Sequence, residues 1–336
     1  MNHRTIERHV NPFSDYFKDS NPKYHERINK HYIKTIELVF ERDESVLLTE
    51  FRKNKDKQAD NVIIYFCGYD DYFYHFFLFE YEKKDFDIIV VDIPGFGYNK
   101  RYSKNKPYQV ERLYNFYSRL SDITKPLDVA CDYFFTKYSY NSTYLYSHST
   151  GCNIVINYLQ NQKHNMKFTK ILLCSPLTRF YDPSPLKMML LMILCMIFGF
   201  FTDYLDINAL INGIDKKTDK TNYNKALNEI YGTVDLEYVN HNYTSVVEQP
   251  KFNGWINFVQ NSLNGVKLNY NVSLICSQQY GKSGYFVSDA FLNPQYMVED
   301  IRKIFKDPKI RQYRCGHDCL VSPSIDFKMM LDFLFE

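Results

Sequence analysis

Short runs of apolar residues recur along the chain and alternate with longer segments of helical periodicity. The segments that indicate strands of a central sheet lie at 61–66, 87–91, 143–147, 170–174, 272–276 and 309–314, of which the last is mostly polar. Continuous apolar runs such as 61–66 and 87–91 are typical of strands buried on both faces of a parallel sheet. Two earlier runs, 36–41 and 45–51, flank a charged turn and predict an antiparallel hairpin.

The segments between these runs predict helices. An amphipathic helix is expected directly after 143–147 and extends to about Gln160. Another lies between the last two runs, and its apolar positions Val298, Ile301 and Ile304 fall on one face together with Phe305. Alternating strands and helices predict an α/β fold, in which helices cover both faces of a mostly parallel sheet.

The alternation is interrupted in one place, and this suggests how the chain is organised. Residues 1–32 lack clear periodicity and are interpreted as an N-terminal extension, while 33–177 and 270–336 form the α/β core. The intervening stretch 178–269 is predicted to be an inserted helical cap. Its segment 188–201 is apolar on all sides but too short to span a bilayer, which takes about 20 residues.

That apolar segment allows two interpretations. It is either a buried helix packed on the core or a cap helix that lines an acyl-chain pocket or enters a lipid surface. The second interpretation predicts peripheral contact with a membrane through the cap.

Composition and charge narrow the classes of function. The 336 residues are 45% hydrophobic and 24% charged, which is typical of a globular protein. The net charge is +2 and no basic block stands out, so a nucleic-acid partner is not expected. The N-terminus lacks the apolar core of a secretory signal, which predicts a cytoplasmic protein with reduced cysteines. No cofactor is expected.

A candidate nucleophile lies where the run 143–147 meets the following helix. The sequence from Tyr146 to Cys152 reads Tyr-Ser-His-Ser-Thr-Gly-Cys. Small residues two before and two after a serine are typical of a nucleophile elbow, because the sharp strand-to-helix turn crowds the backbone. Ser147 and Gly151 hold those positions around Ser149. The alternative is that Ser149 is simply an N-cap.

A candidate general base follows the last run. A serine hydroxyl needs a base within hydrogen-bond reach, and histidine suits this role because its pKa lies near neutrality. His317, in Cys315-Gly-His-Asp-Cys319, lies in the loop after the final strand, at the edge of the sheet where Ser149 is also expected. Cys315, His317 and Cys319 are also potential zinc ligands, although no second Cys/His cluster completes such a site.

The acid that orients the histidine is expected in the loop after 272–276. Asp289 is the best-placed carboxylate there, and Asp182, in the loop after 170–174, is the alternative. The resulting order of serine, aspartate and histidine is the one that a nucleophile elbow in an α/β-hydrolase requires.

An oxyanion hole is expected to use two backbone N–H groups. The first belongs to Thr150, directly after the nucleophile, and the second to Tyr69, in the loop after 61–66. Gly68 allows that loop to turn sharply enough to present the next N–H group.

Three motifs together carry a family resemblance. They are Cys67-Gly-Tyr-Asp-Asp-Tyr-Phe-Tyr74, Asp92-Ile-Pro-Gly-Phe-Gly97 and Ser147-His-Ser-Thr-Gly151. In order and spacing they resemble α/β-hydrolases of the lysophospholipase and monoacylglycerol-lipase type, in particular actinobacterial-type serine hydrolases. The later segments 250–255, 288–292 and 316–318 agree with this resemblance.

The resemblance implies a serine hydrolase that cleaves a small lipophilic ester, with Ser149, Asp289 and His317 as its triad. Two residues depart from the usual motifs, since Cys67 replaces a histidine and Ser147 replaces a glycine. An amidase or peptidase using the same triad, and a non-catalytic binding protein of this fold, remain as alternatives.

Overall fold

The computed structural model describes most of the predicted core. The described residues are 6–10, 30–40, 45–68, 75–94, 121–161, 168–178, 267–280, 292–322 and 325–336, with a few positions and short strands between them. All statements about structure below concern these residues.

Eleven strands are described. In chain order they are β1 (Ile6–Val10), β2 (Tyr32–Val39), β3 (Ser45–Arg52), β4 (Asn61–Phe66), β5 (Phe86–Asp92), β6 (Ser142–His148), β7 (Lys170–Cys174), β8 (Tyr204–Asp206), β9 (Val246–Glu248), β10 (Val272–Ser277) and β11 (Lys309–Tyr313). All except β8 and β9, which pair with each other, form a nine-stranded sheet in the order β1-β2-β3-β5-β4-β6-β7-β10-β11.

The central part of the sheet is parallel, from β5 through β4, β6, β7 and β10 to β11. The strands β1, β2, β3 and β5 pair antiparallel at one side. The described part of the chain includes four α-helices of nine residues or more: α1 (Ser121–Lys137), α2 (Thr150–Asn161), α3 (Pro294–Ile304) and α4 (Phe327–Phe335). The predicted fold class, a mostly parallel sheet with helices, is confirmed.

Burial explains why the apolar runs form the middle of the sheet. Every residue of β5, β7 and β10 is buried, as a strand covered on both faces requires. In the sheet, β5 lies next to β4 on the side of β3, whereas β6, the next strand along the chain, lies on the opposite side of β4. The direction of winding therefore reverses between β4 and β6. In α/β sheets a crevice opens outside the carboxyl ends of the strands at such a point.

Two features were not predicted from the sequence. Strand β1 lies within residues 1–32 and pairs antiparallel with β2, from Ile6 opposite Val39 to Val10 opposite Thr35. The antiparallel pair β8–β9 falls within the stretch 178–269, which was predicted to be a helical cap. Apart from Ile193, the apolar segment 188–201 lies outside the described residues. Within the described ranges, no helix combines the length and apolar character needed to cross a membrane.

A buried charged cluster lies at the amino end of β5, opposite the carboxyl ends where the crevice is expected. Asp87 accepts hydrogen bonds from the backbone N–H of Ala59 (3.1 Å) and the hydroxyl of Tyr140 (3.0 Å). The guanidinium of Arg52 lies 3.7 Å from the same carboxylate and also bonds Glu50. Burial raises the pKa of Asp87 to about 6, although these hydrogen bonds and Arg52 oppose the increase.

Asp87→Asn is expected to change how stability depends on pH. Between the usual aspartate pKa and about 6, the folded protein holds a proton on Asp87 that the unfolded chain has released. This carboxyl group therefore makes the wild type less stable as pH rises through that window. Across that window the free energy of unfolding of the wild type falls by roughly 2–3 kcal/mol relative to that of Asp87→Asn, at 1.36 kcal/mol per pKa unit. Urea unfolding between pH 4 and 7 checks this, and equal pH slopes for wild type and Asp87→Asn would contradict it.

Candidate active site

Ser149 occupies a strained turn between β6 and α2. Its φ of +52° lies in the left-handed region, which a residue with a side chain seldom adopts. Its N–H donates to the carbonyl of Cys174 at the end of β7 (2.9 Å), and its carbonyl accepts from Cys152 and Leu177 (both 3.1 Å). An ordinary N-cap residue has extended backbone angles, so the N-cap interpretation does not account for this conformation. Such strain is held by its surroundings and concentrates at functional sites.

Glycine at position 151 allows the helix to approach the sheet. A Cβ on Gly151 would lie 2.4 Å from the carbonyl oxygen of Cys67 and 3.0 Å from that of Phe66. The first turn of α2 therefore packs directly on the backbone at the carboxyl end of β4. The small residue predicted two positions after Ser149 is required by this contact.

The loop after β4 also approaches the turn closely. A Cβ on Gly68 would lie 3.1 Å from the Cβ of Ser149 and 3.1 Å from Nδ1 of His148. The backbone of Gly68 thus lies beside Ser149, where the second N–H group of the predicted oxyanion hole is expected. Thr150 begins α2 directly after Ser149 and is buried. Tyr69 lies outside the described residues, so its part in the oxyanion hole stays a prediction.

Ser147, the other small residue of the motif, is fully buried and its hydroxyl donates to the sulfur of Cys152 (3.3 Å). The Cys152 thiol also reaches the carbonyl oxygen of Ser147 (3.0 Å). Ser147 therefore joins β6 to the first turn of α2. A serine at this position contributes an added hydrogen bond, which the usual glycine lacks.

His317 lies in the loop after β11, next to the turn that bears Ser149. Its ring centroid is 4.9 Å from that of His148, at an interplanar angle of 54°. The structure thus brings the ring of the predicted base against the residue that directly precedes the predicted nucleophile, although Ser149 and His317 are 168 residues apart. Asp289 and its alternative Asp182 lie outside the described residues, so the acid stays a prediction.

The cysteines that flank His317 are buried and contact each other, with 3.3 Å between the sulfurs of Cys315 and Cys319. Cys319 is also 3.8 Å from the hydroxyl of Ser175. All the cysteines that the structure describes are free thiols. In the same ranges, no group of three or more His, Cys, Asp or Glu side chains could hold a metal ion. The two thiols thus serve as packing beneath the loop of His317.

Behind the site lie two buried residues that sequence reasoning missed. Nε2 of His75 is 3.2 Å from Oδ2 of Asp318, and the hydroxyl of Tyr65 is 3.3 Å from Nδ1 of the same ring. Burial by itself would raise the pKa of Asp318. Electrostatic interaction with His148, the hydrogen bond from His75 and the N–H of Leu320 together lower that pKa well below its usual range. Asp318 is therefore ionised at neutral pH.

The remaining family motif supports the loop after β4. The Cys67 thiol donates to Oδ1 of Asp92 (3.7 Å), and Asn99 donates to the carbonyl oxygens of Asp92 (3.0 Å) and Ser45 (2.7 Å). Gly97 has a φ of +50°, and a Cβ there would lie 1.8 Å from Oδ1 of Asp92. Cys67 therefore connects the loops after β4 and β5, at the position where related motifs carry histidine.

Taken together, the described side chains and backbone suit acyl transfer. A serine on a strained turn, the first N–H groups of a helix and a nearby imidazole all lie at the carboxyl ends of β4, β6 and β11. The helix N-terminus favours negative charge that develops beside it.

A family model described as serine aminopeptidase, S33, matches residues 57–218. That range includes Gly68, Ser149 and Thr150 but ends before His317. No curated protein matches the sequence significantly.

Solved structures match over most of the chain at low sequence identity. A monoacylglycerol lipase from Paleococcus ferrophilus is 14% identical, with a TM-score of 0.55 over 86% of this chain and 96% of that chain. A soluble variant of monoglyceride lipase from Saccharomyces cerevisiae, in complex with a substrate analog, is 16% identical, with a TM-score of 0.54 over 90% and 93%. An α/β-hydrolase from Penicillium sp. sh18 is 12% identical, with a TM-score of 0.58 over 90% and 98%. At these identities the similarity establishes the fold.

Proposed function

We propose that this chain, which has the α/β-hydrolase fold, is a serine hydrolase that cleaves a carboxylic ester of a lipophilic acyl substrate. The observation that carries the proposal is the left-handed turn at Ser149, between a buried parallel strand and a helix N-terminus. A second observation supports the proposal: the ring of His317, the proposed base, lies beside that of His148, which precedes Ser149.

In the proposed mechanism, Ser149 Oγ attacks the ester carbonyl while His317 accepts its proton. Backbone N–H groups of Thr150 and Tyr69 stabilise the oxyanion of the tetrahedral intermediate. His317 then returns the proton to the leaving alcohol, and a water activated by the same ring releases the acyl group from Ser149. Asp289 orients His317 and stabilises the imidazolium.

A lipophilic substrate is supported by two proteins of the same fold, which are a monoacylglycerol lipase and a monoglyceride lipase. The apolar segment 188–201 agrees with it, since a cap of this composition suits an acyl chain. The second candidate is an amidase or peptidase with the same triad, and the description of the matching family model, serine aminopeptidase, favours it.

Turnover of p-nitrophenyl esters from acetate to palmitate tests the proposal. Each methylene buried in an acyl pocket contributes about 0.8 kcal/mol. We therefore expect kcat/KM to rise by at least about tenfold from acetate to octanoate. Aminoacyl p-nitroanilides serve as the matched amide series and are expected to be cleaved far more slowly.

Faster cleavage of the anilides would favour the second candidate. No turnover of either series by the folded protein would favour the non-catalytic binding protein and contradict the proposal.

A further inference from the structure

A buried hydrogen-bonded network connects two segments that are far apart in the sequence. His75 and Asp318 are 243 residues apart in the sequence, and both side chains are almost fully buried. Nε2 of His75 lies 3.2 Å from Oδ2 of Asp318. Tyr65, on β4, contacts the other ring nitrogen of His75 through its hydroxyl at 3.3 Å. We call Tyr65, His75 and Asp318 the buried network.

The protonation of the network follows from the ionised state of Asp318. An ionised carboxylate only accepts hydrogen bonds, so Nε2 of His75 carries a hydrogen and donates it to Asp318. Nδ1, the other ring nitrogen, pairs with the hydroxyl of Tyr65. Phe73 and Phe77 pack against the imidazole, with ring centroids 5.9 Å and 5.7 Å away.

Asp318 also organises the turn that contains His317. Its Oδ1 accepts from the N–H of Leu320 (3.0 Å), and its carbonyl accepts from the hydroxyl of Ser322 (3.2 Å). The same hydroxyl accepts from the N–H of Gly316 (2.9 Å), on the other side of His317. The segment 316–322 is therefore a compact turn, and the carboxylate of Asp318 within it is hydrogen-bonded to His75.

The other end of the network belongs to the segment that follows β4. His75 follows the loop that contains Gly68, and the backbone of Gly68 lies beside Ser149. The network thus connects the segment that supports the nucleophile with the turn that bears the base. A buried carboxylate and its hydrogen-bond partner add little net stability compared with well-packed apolar residues, so a role in specifying one geometry accounts for the network better.

We propose that His75 and Asp318 are positioning residues, which together with Tyr65 fix the turn of His317 relative to the loop after β4. The catalytic consequence rests on the proposed hydrolase function, whereas the fixing of the turn does not. Misplacing a catalytic group by about 1 Å can slow a reaction by about 100-fold. Loss of the network therefore lowers kcat more than it raises KM.

The test compares His75→Phe with His75→Gln. Phenylalanine keeps the aromatic packing but removes both ring nitrogens, whereas the amide nitrogen of glutamine can still donate to Asp318. Hydrogen–deuterium exchange of the segment 314–322 is measured for each variant, together with kcat and KM for a p-nitrophenyl ester. Asp87→Asn is the matched control, because it perturbs another buried aspartate at the opposite end of the sheet.

For His75→Phe we expect exchange in 314–322 to accelerate at least about tenfold and kcat to fall about 10- to 100-fold, with KM changed less than about threefold. His75→Gln is expected to retain most of the wild-type behaviour, and Asp87→Asn to leave kcat unchanged. If His75→Phe does not fold, Tyr65→Phe replaces it, because this variant removes only the hydrogen bond between Tyr65 and His75. It is expected to show a smaller acceleration of exchange in 314–322 and a smaller decrease in kcat.

Unchanged exchange in 314–322 would overturn the proposal, and so would unchanged kcat in a variant whose exchange has accelerated. If the wild type hydrolyses no ester, the proposed function fails, and exchange alone then decides whether the network fixes the turn.

Discussion

His317→Gln is expected to lower kcat for ester hydrolysis by on the order of 10⁴-fold, equivalent to about 5.5 kcal/mol of transition-state stabilisation. Glutamine is similar in length and can still form hydrogen bonds, but it cannot accept the proton of Ser149 at neutral pH. His317 is half-buried in the loop after β11, so this substitution changes packing little compared with its effect on chemistry.

The matched control is His9→Gln. His9 is exposed on β1, at the edge of the sheet farthest from β11. This control makes the same chemical change far from the site and is expected to keep wild-type kcat. A loss of less than about tenfold in His317→Gln, in a protein with wild-type thermal stability, would show that His317 is not the base.

Gly151→Ala is expected to have the largest effect on the architecture of the site. Alanine favours a helix by about 1 kcal/mol over glycine, so at an open position the change would stabilise the protein. Here the new Cβ would lie 2.4 Å from the carbonyl oxygen of Cys67, a backbone atom that cannot move without displacing the end of β4. We expect a net loss of about 3 kcal/mol in the free energy of unfolding, with displacement of the turn at Ser149.

Gly68→Ala is the comparison variant with a milder clash, because its Cβ would meet no atom closer than 3.1 Å. In urea unfolding, we expect Gly68→Ala to lose less free energy of unfolding than Gly151→Ala. If Gly151→Ala is as stable as the wild type, α2 does not pack on the end of β4 as described.

The middle of the sheet was predictable because burial on both faces leaves a simple signature. The runs 61–66 and 170–174 became β4 and β7 with the same bounds, and 87–91 became β5 with one more residue at each end. Strand β1 was missed because a short, polar edge strand such as Ile-Glu-Arg-His-Val has no such run, and its pairing with β2 depends on tertiary contact.

Local patterns predicted where three of the candidate residues lie. Ser149, Thr150 and His317 follow strands whose carboxyl ends share one edge of the sheet, and Ser149 occupies the predicted sharp turn, whose left-handed φ the sequence did not specify. The catalytic roles of these residues, like those of Asp289 and Tyr69, stay predictions.

The network of His75 and Asp318 was missed because neither residue has a local signature. Asp318 could have been noticed as the carboxylate adjacent to His317. Its partner is 243 residues away, and a single sequence contains no record of that contact.

Labelling with a fluorophosphonate probe, followed by mass spectrometry of the labelled peptide, tests the central claim most directly. The probe forms a covalent phosphonyl adduct only with an activated serine, as the serine oxygen displaces fluoride. We predict one adduct, on Ser149, which is absent in Ser149→Ala and unaffected in Ser147→Ala if that variant folds. An adduct on another residue, or none on the folded wild-type protein, would contradict the assignment of Ser149 as the nucleophile.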